Sequence, residues 1–342
     1  MGAPTLADIA KRVGVSASAV SIALNKGETT RVSAKTRQRI LKVAGEMSYS
    51  PNELAKALAE NKTCLLGLVV PMRDPIFFNL FIAQTLSGIQ STLMRRGYNL
   101  LVYSPSGPGG LIARDKIYES KFTDGIIFVN TRSCSAGSVD ETIRELQAAK
   151  VKFSMINSYY GRAPINYVGV DDAAIATAAA DYLVGKHHRR IAFLSGAHTL
   201  PAHMQMVKGL DRGLRKHGLA LPAELIGCTE YDRDQAFALL DRWFQRKGHR
   251  PTAVVAADDQ LLMHLYDYVD LRGMAIPEDV SVLARRNIGI EDHIRPRPTS
   301  IVIPTFQMGQ LAAELLIDTI ENPACEPRRI MLPFELIEGT TA

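Results

Sequence analysis

Residues able to do chemistry come in few clusters. Two adjacent carboxylate pairs, Asp171–Asp172 in VGVDD and Asp258–Asp259 in VVAADD, close apolar runs. Neighbouring carboxylates can ligate a hard cation. Ahead of a helical stretch, however, the favoured reading is a division of labour in which one member caps the helix and the other lines a cleft. His187 and His188 in GKHHRR stand beside two arginines with no third ligand at metal spacing, so they read as surface residues. Cys64, Cys134, Cys228 and Cys325 lie 70, 94 and 97 residues apart, too far for a zinc knuckle or a redox dithiol. SGPGG (106–110) lacks the Lys-Ser or Lys-Thr of a phosphate loop. There is no serine in a nucleophile elbow and no paired-glycine dinucleotide fingerprint. Without a convergent acid, base or nucleophile, the sequence is not expected to be an enzyme and calls for no cofactor and no metal.

Short polar side chains at helical spacing remain, and they sit at the amino-terminal end. TLADIAKRV (5–13) places Leu6, Ile9, Ala10 and Val13 on one helix face, and Gly14 ends that helix where a positive φ is tolerated. Ser16 can cap a second helix whose Val20, Ala23 and Leu24 point back at the first, leaving Ala17, Ser18, Ser21, Ile22 and Asn25 outward. Ser33 starts a third helix that buries Ile40, Val43, Ala44 and Met47. Three short helices with a tight turn between the first two make a helix-turn-helix head, whose second helix enters the major groove. Charge agrees: the net +5 of the 342 residues falls within residues 1–62, which hold ten basic and five acidic residues, and the remainder is balanced. Such a distribution suits a unit that meets phosphates.

TLADIAKRVGVSASAVSIALN, VSAKTRQRI and YSPNELAKAL, taken in order, resemble the head and hinge of the LacI/GalR family of bacterial transcriptional regulators, with a short insertion, GETTR (27–31), after the reading helix. The resemblance implies that Ser16, Ser21, Asn25, Ser33 and Thr36 contact the phosphate backbone, with Arg31 placed for a further phosphate or base contact. It implies that Ala17, Ser18 and Ile22 face the bases. Here the sequence departs from many members, because Ala17 and Ile22 can only touch thymine methyls and Ser18 bonds several bases alike. The resemblance further implies a hinge helix over NELAKAL (52–58), too short to hold alone, which folds when two copies meet in the minor groove. Leu58 matches the wedge that kinks the duplex, Ala55 the small residue that permits close approach, and Lys56 a phosphate partner. A wedge reads how easily a step unstacks, which offers specificity without hydrogen bonds.

Beyond residue 63, apolar runs at 65–71, 98–103, 125–129, 152–157, 190–195, 253–257 and 280–283 alternate with helical stretches such as 77–96, 173–186, 203–217 and 259–273. This rhythm means an α/β core of two doubly wound parallel-sheet lobes, with ligands at strand carboxyl ends in the cleft between them. The stretch is similar to the periplasmic-binding-protein-like core of the same family. The expected division is a head at 1–50, a hinge and linker at 51–62, and an effector-sensing and dimerisation core at 63–342. Lobe 1 is expected at about 63–166 and 297–326, and lobe 2 at about 167–296 and 327–342.

By the resemblance, Asn157, Met206, Asp258, Arg286 and Phe306 match effector-pocket positions. Met206 replaces a usual arginine, and ARRN (284–287) replaces a stretch usually rich in aspartate. Two expectations follow: Arg286 receives an anionic group, or it pairs with Asp258 across the cleft and holds the lobes shut without an effector. The function expected is therefore a cytoplasmic, homodimeric repressor on a palindromic DNA operator, modulated by a sugar-like or anionic small molecule. The absence of a secretory leader or an apolar span of membrane length sets it apart from a solute-binding module. FELIEGTTA (334–342), with no trailing heptads, suits a dimer.

Overall fold

The computed structural model describes residues 4–25, 32–50, 62–72, 76–103, 122–131, 134–245, 250–286 and 294–342. The chain forms two compact units, Met1–Thr63 and Cys64–Ala342.

The first unit contains helices α1 (Leu6–Val13), α2 (Ala17–Asn25) and α3 (Ala34–Glu46). Thr5 opens α1 with a capping box: its hydroxyl accepts from the Asp8 amide, and the Asp8 carboxylate accepts from the Thr5 amide. Gly14 closes α1 at φ 77°, where a side chain would be strained. Ile9, Ala10, Val13, Val20, Ala23, Ile40 and Ala44 form the core, contributed at helical spacing by α1, α2 and α3. Two arginines of α3 satisfy carbonyls left over at helix ends. Arg37 Nε donates to Ala23 O at 3.2 Å, and Arg39 Nη2 donates to Val13 O at 3.0 Å.

Among the described residues, the second unit has two six-stranded sheets. The strands are β1 (Leu65–Val69), β2 (Asn99–Tyr103), β3 (Gly125–Val129), β4 (Phe153–Ile156), β5 (Asn166–Val170), β6 (Ile191–Ser195), β7 (Ile226–Cys228), β8 (Ala253–Ala256), β9 (Ser281–Arg286), β10 (Thr299–Val302), β11 (Arg329–Leu332) and β12 (Glu335–Ile337). The first sheet runs β11-β5-β4-β3-β1-β2, parallel throughout. The second runs β12-β10-β9-β8-β6-β7 and is parallel except for β12, which lies antiparallel to β10 at the edge. Strands covered on both faces read as unbroken apolar runs, and β3, β5, β6 and β8 are buried along their whole length.

The helices between them are α4 (Leu80–Arg96), α5 (Ala136–Ala148), α6 (Asp172–Gly185), α7 (Pro201–Lys216), α8 (Arg233–Phe244), α9 (Asp259–Leu271) and α10 (Thr305–Glu321). Asn79, Ser135, Asp171, Asp232 and Asp258 cap five of them by accepting a first-turn amide. Close helix pairing is enforced by glycine: a Cβ on Gly209 of α7 would stand 2.1 Å from the carbonyl oxygen of Ala173 in α6.

The sheets correct the expected lobe boundaries. Residues 166–170 and 329–332 belong to the first sheet, whereas 299–302 and 335–337 belong to the second. The chain passes between the sheets after β5, after β10 and after β11. The tail is stitched into the first sheet by β11 and into the second by β12 and by Thr341, whose Oγ1 donates to Val282 O at 2.6 Å and accepts from Thr299 N at 2.8 Å.

Candidate nucleic-acid interface and effector cleft

In the head, Ser16 Oγ accepts from Ala19 N at 3.1 Å and so starts α2. Ser16, Ala17 and Ser18 are exposed, Ser21 and Ile22 half-buried, and Val20 and Ala23 on the opposite side are buried. The expected reading face is therefore a surface. Ser33 Oγ accepts from Thr36 N at 3.2 Å, and the two hydroxyls lie 2.9 Å apart, at the amino end of α3. Asn25 is the last residue of α2. Arg31, Ala55, Lys56 and Leu58 lie outside the described residues.

In the core, a cavity of about 510 Å³ opens at the carboxyl ends of strands from both sheets. Its walls come from Asn130 after β3, Asn157 after β4, Ser195 ending β6, Asp258 after β8 and Arg285 in β9. This is where an open α/β sheet binds ligands. Asn130 and Asn157 hold each other: Asn130 Nδ2 donates to Asn157 O at 2.6 Å, and Asn157 Nδ2 donates to Asn130 O at 3.4 Å. With both amide nitrogens engaged, both Oδ1 atoms are left as buried acceptors without a protein partner. Asn157 adopts φ 69°, a left-handed conformation that asparagine tolerates better than most residues.

Opposite them, α7 begins at Pro201 with no side-chain cap, and Ala202 and His203 of its first turn lie in the wall. His203 Nδ1 is 2.7 Å from Ser195 Oγ, and burial depresses the imidazole pKa below its ordinary 6.5. Met206 supplies an apolar surface. Asp258 caps α9 through Leu261 N at 2.9 Å, and burial raises its pKa, against the opposing pull of that amide and of Arg285.

Comparison with known proteins agrees with both halves. Residues 5–52 match the model of "Bacterial regulatory proteins, lacI family" and residues 180–342 that of "Periplasmic binding protein-like domain". The HTH-type transcriptional repressor PurR of Vibrio vulnificus (strain CMCP6) is 28% identical over 345 residues, covering 98% of each chain. Catabolite control protein A of Priestia megaterium is 26% identical over 339 residues, covering 97% of each. Among solved structures, the lac repressor dimer bound to operator and the anti-inducer ONPF superposes with a TM-score of 0.83 at 21% identity, covering 99% of both chains. The CelR–cellobiose complex does so with a TM-score of 0.71 at 25% identity, covering 99% of this chain and 100% of that one. The chain carries a lacI-type helix-turn-helix domain followed by a periplasmic-binding-protein-like domain.

It is a DNA-binding transcriptional regulator with a helix-turn-helix head and an effector-binding core. Three of the five pocket residues expected from the lacI-family pattern, Asn157, Met206 and Asp258, line the cavity. Phe306 does not: it lies in the first turn of α10 and is 42% exposed. Arg286 does not either. Successive residues of a strand face opposite sides of the sheet, and in β9 it is Arg285 that enters the cavity wall, while Arg286 is buried beside Tyr266 of α9. The expected Arg286–Asp258 pair is replaced by Arg285 Nε to Asp172 Oδ1 at 3.1 Å, with side chains 9% and 0% exposed.

Asn130, Ser195 and His203 are not among the residues that the sequence marks as ligand-facing. A signal existed for the first two: each is the polar residue that terminates an apolar run, in GIIFVN and IAFLS.

Proposed function

We propose that this protein represses transcription in the cytoplasm by binding a palindromic operator as a homodimer, and that a neutral, hydroxyl-bearing small molecule in the interlobe cleft shifts its affinity for DNA. The observation that carries the DNA role is the exposed Ser16, Ala17 and Ser18 surface on a helix whose other side is buried core. Ser16, Ser21, Asn25, Ser33 and Thr36 set the register on phosphates, with Arg31 adding a contact from the loop. Ala17, Ser18 and Ile22 read shape and thymine methyls. Residues 51–62 act as the hinge, with Leu58 as wedge, Ala55 allowing close approach and Lys56 on a phosphate. The role is regulatory and not catalytic.

The choice of a neutral effector rests on the cavity wall. Buried amide oxygens of Asn130 and Asn157 ask for donors, and the uncapped first turn of α7 asks for an acceptor. A hydroxyl is both. Met206 and Leu200 offer an apolar platform of the kind that sugar-sized ligands use. The CelR structure of the same fold carries cellobiose. Among the described residues no helix is long and apolar enough to cross a membrane.

Selection of duplexes from a random pool by the full-length protein is expected to yield an inverted repeat with a flexible pyrimidine–purine step at its centre. Leu58→Ala is expected to weaken binding to that site more than binding to random duplex. Recovery of no preferred sequence, or an equal loss on both duplexes at fixed salt, would refute the reading.

A further inference from the structure

The ligand class just proposed leaves one charge to be explained: a guanidinium in the wall of a cleft read as taking neutral ligands. Arg285 is 8% exposed, and an arginine stays protonated at any pH the protein meets. Left alone there, it would draw an anion. It is not alone, because Asp172 lies 3.1 Å away and is completely buried. Three features fix that carboxylate. Asp171 takes over the capping of α6, accepting from Ala174 N at 2.9 Å, which leaves its neighbour free. The Tyr160 hydroxyl donates to Asp172 Oδ2. Arg329 of β11 pins the Tyr160 segment by donating to Tyr159 O at 2.6 Å and to Gly161 O at 2.8 Å. Residues from four separate stretches of chain thus converge on one counter-charge.

We infer that Asp172 is a specificity-determining residue of the cleft: by holding the charge of Arg285 it excludes anionic ligands, and its removal turns the same cavity into an anion receptor. The inference rests on the effector reading above. An incoming phosphate or carboxylate would bring a second negative charge beside Asp172 in a poorly solvated site, where like charges repel strongly. A neutral polyol meets no such barrier. The alternation of β9 is what makes the device possible, since only Arg285 of the two arginines faces the cleft.

The test uses full-length protein and inorganic phosphate as probe, titrated calorimetrically against sodium chloride of equal ionic strength. Wild type is expected to show no saturable phosphate binding that depends on Arg285. Asp172→Asn, which keeps the shape and removes the charge, is expected to bind phosphate at least about tenfold more tightly. The double variant Asp172→Asn/Arg285→Met is expected to lose that gain. Phosphate binding by wild type that disappears in Arg285→Met would overturn the proposal, and so would a folded Asp172→Asn variant with no gain.

Should Asp172→Asn fail to fold, Arg285→Ala supplies the complementary reading. It leaves the carboxylate without its partner, so millimolar guanidinium chloride should raise its melting temperature relative to sodium chloride, and should not do so in wild type. Absence of that rescue would also overturn the proposal. Duplex retention by the same proteins is read separately, so loss of the regulator reading and loss of the anion-exclusion reading give different patterns.

Discussion

The head and the cleft solve recognition in opposite ways. The head is assembled from neighbours: caps three residues apart, a glycine turn, and stripes at helical spacing that close a core of seven buried residues. The cleft is assembled from strangers, with Asn130, Ser195, Asp258 and Arg285 brought from four strands onto one cavity, and Asp172 and Tyr160 brought beneath it. The head presents short side chains and little charge on its reading face. The cleft buries an ion pair beside unpartnered amide oxygens. A surface that reads a polyanion can leave affinity to scattered basic residues and solvent-exposed backbone groups, whereas a closed pocket must settle every charge inside its own walls.

The sharpest way to break this contrast is to unbalance the cleft. Arg285→Met leaves Asp172 buried without a counter-charge and is expected to destabilise the core by about 3–5 kcal/mol, while replacing both partners with residues of similar volume should restore most of the loss. Urea unfolding of the single and double variants measures this. Equal losses in both would show that packing, and not charge balance, dominates at this position.

A core truncation in the head comes next. Ile40 is fully buried among α1, α2 and α3, and Ile40→Ala is expected to remove about 2–5 kcal/mol, enough to unfold so small a unit. Operator binding should vanish while the melting transition of residues 64–342 stays in place, and a parallel shift of that transition would show that the two units do not unfold independently. A milder change sharpens the local character of the head: Ser33→Ala deletes the α3 cap and should cost about 1 kcal/mol. It should be visible as a lower melting temperature of the head in the absence of DNA.

The smallest effect expected is the share of the pH dependence that comes from His203 in the cleft. Burial lowers the pKa of His203 below 6.5, so the unfolded chain takes up the proton first as the solution is acidified. Stability should therefore fall as pH drops from about 6.5 toward the lower folded value, and level off beneath it. His203→Gln should flatten that part of the melting-temperature profile without altering the head. An unchanged slope would assign the acid sensitivity to other groups.

The same contrast explains how much of the structure is legible in the sequence. Local rules suffice where structure is local. Gly14, Ser16 and Ser33 announced the head, and the division of Asp171 and Asp258 into caps followed from position alone. The core's long apolar runs gave the two lobes, yet short strands such as β7 and the edge strands β11 and β12 carry too little periodicity to stand out. The cleft was legible only in part, since Met206 and Asn157 fall in it but Arg286 does not. A one-residue register decides which side of a sheet a side chain joins, and nothing within ARRN itself distinguishes Arg285 from Arg286. The pairing with Asp172, 113 positions earlier, is a long-range fact that only the fold supplies.

The stitching of residues 329–341 into both sheets bears on how the chain matures during synthesis. A helical unit spanning residues 5–49 can close as soon as it leaves the ribosome. Neither sheet can, because the edge partner of β5 and the last strand beside β10 are still untranslated when everything else has emerged. The DNA-reading part is thus free to form well before the sensor is complete, and a ribosome stalled shortly before residue 329 should display a folded head on an unfinished core.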